Sequence, residues 1–114
     1  MHAFDVLGDP VRRRILELLS SQKLSSGEIV SVIQKEVSIS QSAVSQHLKV
    51  LRENGFAQVS VAGAKRIYAL ETRGLEDVDA WLSGFRHFWA PKFASLETEI
   101  ARGKRRRAKQ QNRT

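Results

Sequence analysis

The chain has 114 residues, no cysteine and a formal net charge of +7. That length suits one compact domain, and 41% hydrophobic with 7% aromatic residues is enough for a core and too much for a disordered chain. The absence of cysteine excludes disulfides and thiolate metal sites. No apolar run approaches the ~20 residues of a membrane span, and the opening Met1–Asp5 lacks the basic flank of an export signal, so a cytoplasmic protein is expected.

Phe4, Val6 and Leu7 form a short apolar opening that Gly8 stops. Asp9-Pro10 then reads as a helix start, with Asp9 accepting orphan N–H groups and Pro10 fitting the first helical position. Val11, Ile15, Leu18 and Leu19 follow at helical spacing, with Leu16 beside the stripe. Ser25-Ser26-Gly27-Glu28 matches a capping box, and Ile29, Val32 and Ile33 supply an inward face behind it. Val37 to Ser40 reads as a turn. Ser40 caps a third clear helix in which Val44, Leu48 and Leu51 share one narrow arc, and Asn54-Gly55 ends it in the left-handed manner.

The period then changes. Ala57, Val59 and Val61 alternate with Gln58 and Ser60, and a second run through Ile67 to Leu70 follows a turn at Ala62-Gly63-Ala64, which predicts a β-hairpin over 57–70. After Thr72 the helical period returns. Leu75, Val78, Leu82, Phe85, Trp89, Phe93, Leu96 and Ile100 fall three or four residues apart over about seven turns, with Pro91 predicting a kink. The predicted fold is mainly α with a small β-hairpin, a winged helix-turn-helix in the order α-α-α-α-β-β-α with a long C-terminal dimerisation helix. Residues 1–101 are expected to form one domain, whose DNA-binding and dimerisation roles rest on the motif and resemblance given below, and 102–114 a basic tail that is disordered unless bound.

The charge is unevenly placed. Arg102, Lys104, Arg105, Arg106, Arg107, Lys109 and Arg113 are seven cations with no acid among them, so the tail alone accounts for the net +7. Residues 1–101 hold 12 bases against 12 acids. Within them, residues 40–66 carry Lys49, Arg52, Lys65 and Arg66 against Glu53 alone, whereas residues 71–101 carry three more acids than bases. The high isoelectric point is therefore weak evidence for nucleic acid, and the local excess at 40–66 is better evidence.

In a helix-turn-helix the first helix of the pair braces the second, whose N-terminal residues approach base edges in the major groove. Turning 100° per residue from Val44 sends Leu48 and Leu51 inward and Ser42, Ser45, Gln46, Lys49 and Arg52 outward; Gln41, at the start of the helix, joins them as a candidate DNA contact. Short polar side chains suit base edges, and the cations further along suit phosphates. Residues 40–52 hold no acid, which argues against an ordinary solvated face.

Three blocks carry a resemblance: Leu7-Gly-Asp-Pro-Val-Arg-Arg-Arg-Ile-Leu16, Ser40-Gln-Ser-Ala-Val-Ser-Gln-His-Leu-Lys-Val-Leu-Arg-Glu-Asn-Gly-Phe56 and Arg66-Ile-Tyr-Ala-Leu70. Over residues 3–100 the chain resembles the ArsR family of dimeric winged-helix repressors. The resemblance implies a homodimer on double-stranded operator DNA. Ser42, Ser45, Gln46 and Lys49 would face the major groove, and Lys65 and Arg66 at the hairpin tip would reach the neighbouring backbone or minor groove. It also implies dimerisation through the first and last helices, hence through Phe4, Leu75, Val78, Leu82, Phe85, Trp89, Phe93 and Leu96. The long apolar stripe supports that role independently, because one small domain has no use for so much one-sided apolar surface.

The run from Glu28 to Ser40 is about one helical turn longer than is usual in the family. Many members release DNA on binding a metal, but Ile29-Val-Ser-Val-Ile33 offers no soft ligand on the brace helix. Asp77, Asp79 and His87 are the remaining candidates; Asp79 and His87 are about 12 Å apart along a helix, too far to share a metal within one chain. No metal and no cofactor are expected. Trp81, Phe85, His87, Phe88 and Trp89 cluster as dimer core or as a pocket for an apolar effector. The Phe-Trp pair followed by Leu96, Glu97 and Glu99 resembles the metal-independent, often autoregulatory, branch, which favours dimer core and leaves any small-molecule or protein effector unidentified.

His47 lies at the margin of the inward arc, where a structural hydrogen bond is favoured over a base contact. Arg12, Arg13 and Arg14 stand between phosphate contact and pairing with Asp5, Asp9 or Glu17. No nucleophilic cysteine, phosphate loop, Gly-x-Ser-x-Gly or His-Glu-x-x-His is present, so no enzymatic activity is expected. Two other classes remain in view. One is a sequence-indifferent architectural or RNA-associated binder acting through the tail; the other is a regulator that docks another protein on the 75–100 face.

Overall fold

The computed structural model describes residues 1–90, which include two compact units, Met1–Asp79 and a second that begins at Ala80. The Pro91 kink, Phe93, Leu96, Ile100 and the basic tail lie outside the described residues.

Helix α1 (Ala3–Leu7) is short and capped by His2, whose Nδ1 accepts from the Phe4 N–H at 3.2 Å while its own N–H donates to Asp5 at 3.0 Å. Helix α2 (Pro10–Ser21) starts as its sequence predicts. Asp9 Oδ1 accepts from the Val11 and Arg12 N–H groups at 2.8 and 3.1 Å, and Pro10 holds the first helical position. Ile15, Leu16 and Leu19 are its buried residues, so Leu16 lies inside the apolar stripe and Leu18 only beside it.

Leu24–Ser25 forms a two-residue strand, β1, which the hairpin expectation did not include. Helix α3 (Ser26–Glu36) opens on the capping box: Ser25 Oγ accepts from the Glu28 N–H at 3.2 Å and the Ser25 N–H donates to Glu28 Oε1 at 3.0 Å. The longer 28–40 run resolves into this helix and an extended turn. Helix α4 (Gln41–Glu53) is capped by Ser40 and buries Val44, Leu48 and Leu51. It ends in a Schellman motif, with Phe56 N–H donating to the Leu51 carbonyl, Gly55 N–H to that of Arg52, and Gly55 at φ 76°.

Strands β2 (Ala57–Ala62) and β3 (Lys65–Leu70) form the hairpin, with Ala57 opposite Leu70 and Ala62 opposite Lys65. Gly63 alone in the turn has positive φ, 64°, as a type II′ turn requires. The sheet has three strands in the order β1-β3-β2, because Leu24 and Ser25 pair with Tyr68 and Ile67. The order of elements is thus α-α-β-α-α-β-β-α. The core lies where α2, α3 and α4 meet the sheet, with Ile15, Ile29, Ile33, Val44, Leu51 and Phe56 fully buried.

Helix α5 (Arg73–Ser83) is stitched to the end of α4: Gly74 N–H donates to the Gly55 carbonyl at 2.8 Å and Glu71 N–H to that of Phe56 at 3.0 Å. A Cβ on Gly74 would stand 2.6 Å from the Phe56 ring, so only glycine permits this approach. Leu75 and Val78 are half-buried against the core. The apolar stripe is not one helix. It breaks at Gly84–Phe85, where three-residue bonds replace the helical ones, and becomes helical again from Arg86, well before the expected kink. Glycine costs a helix interior about 1 kcal/mol relative to alanine, which favours the break there. Among the described residues no helix is long and apolar enough to cross a membrane.

Candidate nucleic-acid interface

The outward arc of α4 matches the helical geometry. Gln41, Ser42, Ser45, Gln46, Lys49 and Arg52 are all exposed, while Val44, Leu48 and Leu51 anchor the opposite side. Near the helix start, Gln41, Ser42, Ser45 and Gln46 line an open depression of about 640 Å³. Beside it, a cleft of about 300 Å³ brings Ser45, Gln46, Lys49 and Arg52 together with Arg66 and Tyr68 of β3 and Ser26 of α3. Recognition helix and wing therefore share one polar, cationic surface. Ser26 and Tyr68 enter it unpredicted, since only the three-stranded packing places β3 and the start of α3 beside α4.

The cations there have little internal competition. Lys49 Nζ is 4.0 Å from Glu53, one turn along, and both side chains are more than half exposed, so the pair is weak. Among the described residues neither Arg52 nor Arg66 forms an ion pair.

The two wing cations separate. Arg66 lines the cleft, whereas Lys65 lies in another groove with Gln22, Leu24 and Glu28. Adjacent residues of a strand point to opposite faces, and that period was available in the sequence. The Glu28 carboxyl sits below its ordinary pKa, chiefly through hydrogen bonds from the Ser25 backbone and hydroxyl, with a smaller contribution from the charge of Lys65.

The arginines of α2 are engaged within the chain. Arg12 donates to the Val6 and Asp5 carbonyls at 2.7 and 2.9 Å, and Arg13 to that of Leu7 at 2.7 Å. Arg14 Nε bonds both Glu36 oxygens, at 2.8 and 3.2 Å, and Nη1 reaches Glu17 at 3.4 Å. Arg12 also meets His47 Nδ1 at 3.3 Å, which places His47 in a structural hydrogen bond.

In the second unit, Trp81 and Phe85 pack with ring centroids 4.6 Å apart and Phe85 and Trp89 with centroids 6.3 Å apart. Trp81, Leu82, Phe85 and Phe88 remain exposed, Phe88 at 69%; Phe4 of the first unit is also exposed. Among the described residues no three His, Asp or Glu side chains cluster as metal ligands.

Residues 9–59 match the family described as "Bacterial regulatory protein, arsR family". The chain is 38% identical over 73 residues to the HTH-type transcriptional regulator Rv2034 of Mycobacterium tuberculosis, covering 64% of each, just under two thirds of that relative's length. It is 30% identical over 84 residues to the transcriptional repressor SdpR of Bacillus subtilis, covering 74% of this chain and 89% of that one. Its fold is similar to the crystal structure of an ArsR family transcriptional regulator, with a TM-score of 0.66 and 26% identity over 77% of this chain and 87% of the other. The winged helix-turn-helix of α2 to β3, the polar, cationic surface on α4 and β3, and these likenesses agree: the chain belongs to the ArsR family of bacterial transcriptional regulators.

Proposed function

We propose that the protein is a homodimeric repressor that binds a palindromic DNA operator. The observation that carries this reading is the shared cleft, in which Ser45, Gln46, Lys49 and Arg52 stand beside Arg66. Gln41, Ser42, Ser45 and Gln46 read base edges in the major groove; Lys49, Arg52 and Arg66 neutralise phosphates; Lys65, on the other face of the wing, adds a weaker contact. Phe4, Leu82, Phe85 and Trp89 form the described part of the dimer contact. The exposed aromatic side chains around Phe85 support it, because a monomer rarely leaves such a patch open. Leu75 and Val78 join them in this reading, although they also pack on the chain's own core. Repression is favoured by the relative that is named a transcriptional repressor.

Selection of bound genomic fragments identifies the operator, which is expected to be a palindrome with half-sites about 34–36 Å apart or a multiple of it. Gln46→Ala and Ser45→Ala should then lower discrimination between operator and random DNA by ~1–3 kcal/mol at the affected base pair. An unchanged ratio in competition binding overturns the assignment. Removal of residues 102–114 separates this reading from a tail-driven binder: sequence preference persists here, whereas a tail-driven binder would lose DNA altogether. Sedimentation of the intact chain as a monomer would overturn the dimer.

A further inference from the structure

Helix α4 carries a polar tie that faces away from its recognition surface. Arg12 folds back over the end of α1, using Nε and Nη2 for the Val6 and Asp5 carbonyls, and its Nη1 lies 3.3 Å from His47 Nδ1. A guanidinium can only donate, so Nδ1 must present its lone pair, and the ring hydrogen belongs on Nε2. Nε2 stands 3.9 Å from Asp9 Oδ1, the same oxygen that caps α2. Both nitrogens of one imidazole on α4 are therefore addressed by neighbouring residues at the α1–α2 junction. The site is sheltered, with the His47 side chain 19% exposed.

Among the described residues, the Arg12–His47 contact is the one side-chain hydrogen bond that leaves α4 for another helix. The rest of the anchorage is apolar, through Val44, Leu48 and Leu51. Burial of that kind is non-directional and holds the helix on the core while defining its rotation only loosely. A hydrogen bond is directional, and it weakens steeply when bent. His47 follows Gln46 directly, so whatever sets the His47 azimuth also sets that of Gln46, Ser45 and Ser42. A recognition constellation needs its groups held within about 10–20°.

We propose that Asp9, Arg12 and His47 form a positioning network that sets the rotation of the recognition helix, so that sequence discrimination depends on an acceptor at the Nδ1 position of His47. The inference rests on the DNA-reading function proposed above. The network acts on selectivity; phosphate contacts, and with them the salt dependence of binding, are untouched.

Two variants test it. His47→Leu removes both nitrogens and keeps apolar bulk; His47→Asn keeps an acceptor near Nδ1. His47→Leu should reduce the ratio of operator to random-sequence affinity about tenfold, equivalent to the discrimination of one base pair, with an unchanged salt slope. His47→Asn should restore most of the ratio. A ratio unchanged in both variants, or lost equally in both, overturns the network. A tautomer measurement by long-range 15N–1H spectroscopy needs no variant to fold: the wild-type His47 ring should carry its hydrogen on Nε2, and a hydrogen on Nδ1 overturns the proposal. Wild-type protein that binds selected and random DNA alike would overturn the DNA-reading function as well, which distinguishes that failure from failure of the network alone.

Discussion

Two sets of cations look alike in the sequence and differ in the fold. Arg12, Arg13 and Arg14 are three consecutive charges at the start of α2, and each is engaged inside the chain, two by the last carbonyls of α1 and one by Glu36 and Glu17. Lys49, Arg52 and Arg66 are scattered over 18 positions, yet they come together on one exposed surface, where, among the described residues, only the weak Lys49–Glu53 pair competes for them. The difference teaches that local density of charge is a poor guide to a polyanion surface. The carbonyls left unpaired at the end of a helix need donors, and a five-residue helix such as α1 places them beside the next helix's first turn. Cations there complete the fold. Those on the outward arc of α4 and on β3 have no such claim on them.

The comparison makes the largest difference in stability. Arg12→Met leaves two carbonyls and His47 without their donor and should lower unfolding free energy by about 1–3 kcal/mol in urea denaturation, whereas Arg52→Met should stay within about 0.5 kcal/mol. Equal costs would break the distinction. On DNA the order reverses. Arg52→Ala and Arg66→Ala should each reduce the slope of log affinity against log salt by about 0.9, and Arg13→Ala should leave it unchanged. A reduced slope for Arg13→Ala would place the α2 arginines on the phosphates.

Acid should expose the α1–α2 junction next. Burial raises the Asp9 pKa, but the Arg12 N–H, the neighbouring His47 imidazole, the Val11 N–H and the charge of Arg12 together outweigh it, leaving the carboxyl below its ordinary value. Such a group stabilises the fold above the usual carboxylate range, and that contribution is lost as pH falls through the range towards the lower folded value. Unfolding midpoints measured against pH should therefore fall more steeply for the wild type than for Asp9→Asn; parallel curves would remove Asp9 from the account. The smallest effect belongs to the wing. Lys65→Ala should change the salt slope by less than half as much as Arg66→Ala, and equal changes would show that the two faces of β3 meet DNA alike.

Much of this architecture was legible. Asp9-Pro10, the Ser25–Glu28 box, Ser40 and Asn54-Gly55 mark helix ends because a cap bonds backbone only two or three residues away. The outward arc of α4 was legible for the same reason, since helical azimuth follows from spacing. β1 was not, because two residues have no period and Leu24–Ser25 becomes a strand only by pairing with Tyr68 and Ile67. The break at Gly84–Phe85 was hidden beneath an apolar spacing that continued across it.

By itself, then, the sequence determined where the capped helices α2, α3 and α4 begin, where α4 ends, and which side chains of α4 point outward. These are decisions made within about one turn of chain. Only the tertiary structure decided which cations stay on an open surface and which side chains α4 meets. Arg14 meets Glu36 across 22 positions and Arg12 meets His47 across 35, while Arg66 joins Arg52 only because β3 returns beside α4. Partners that far apart are chosen by packing, which no local spacing encodes.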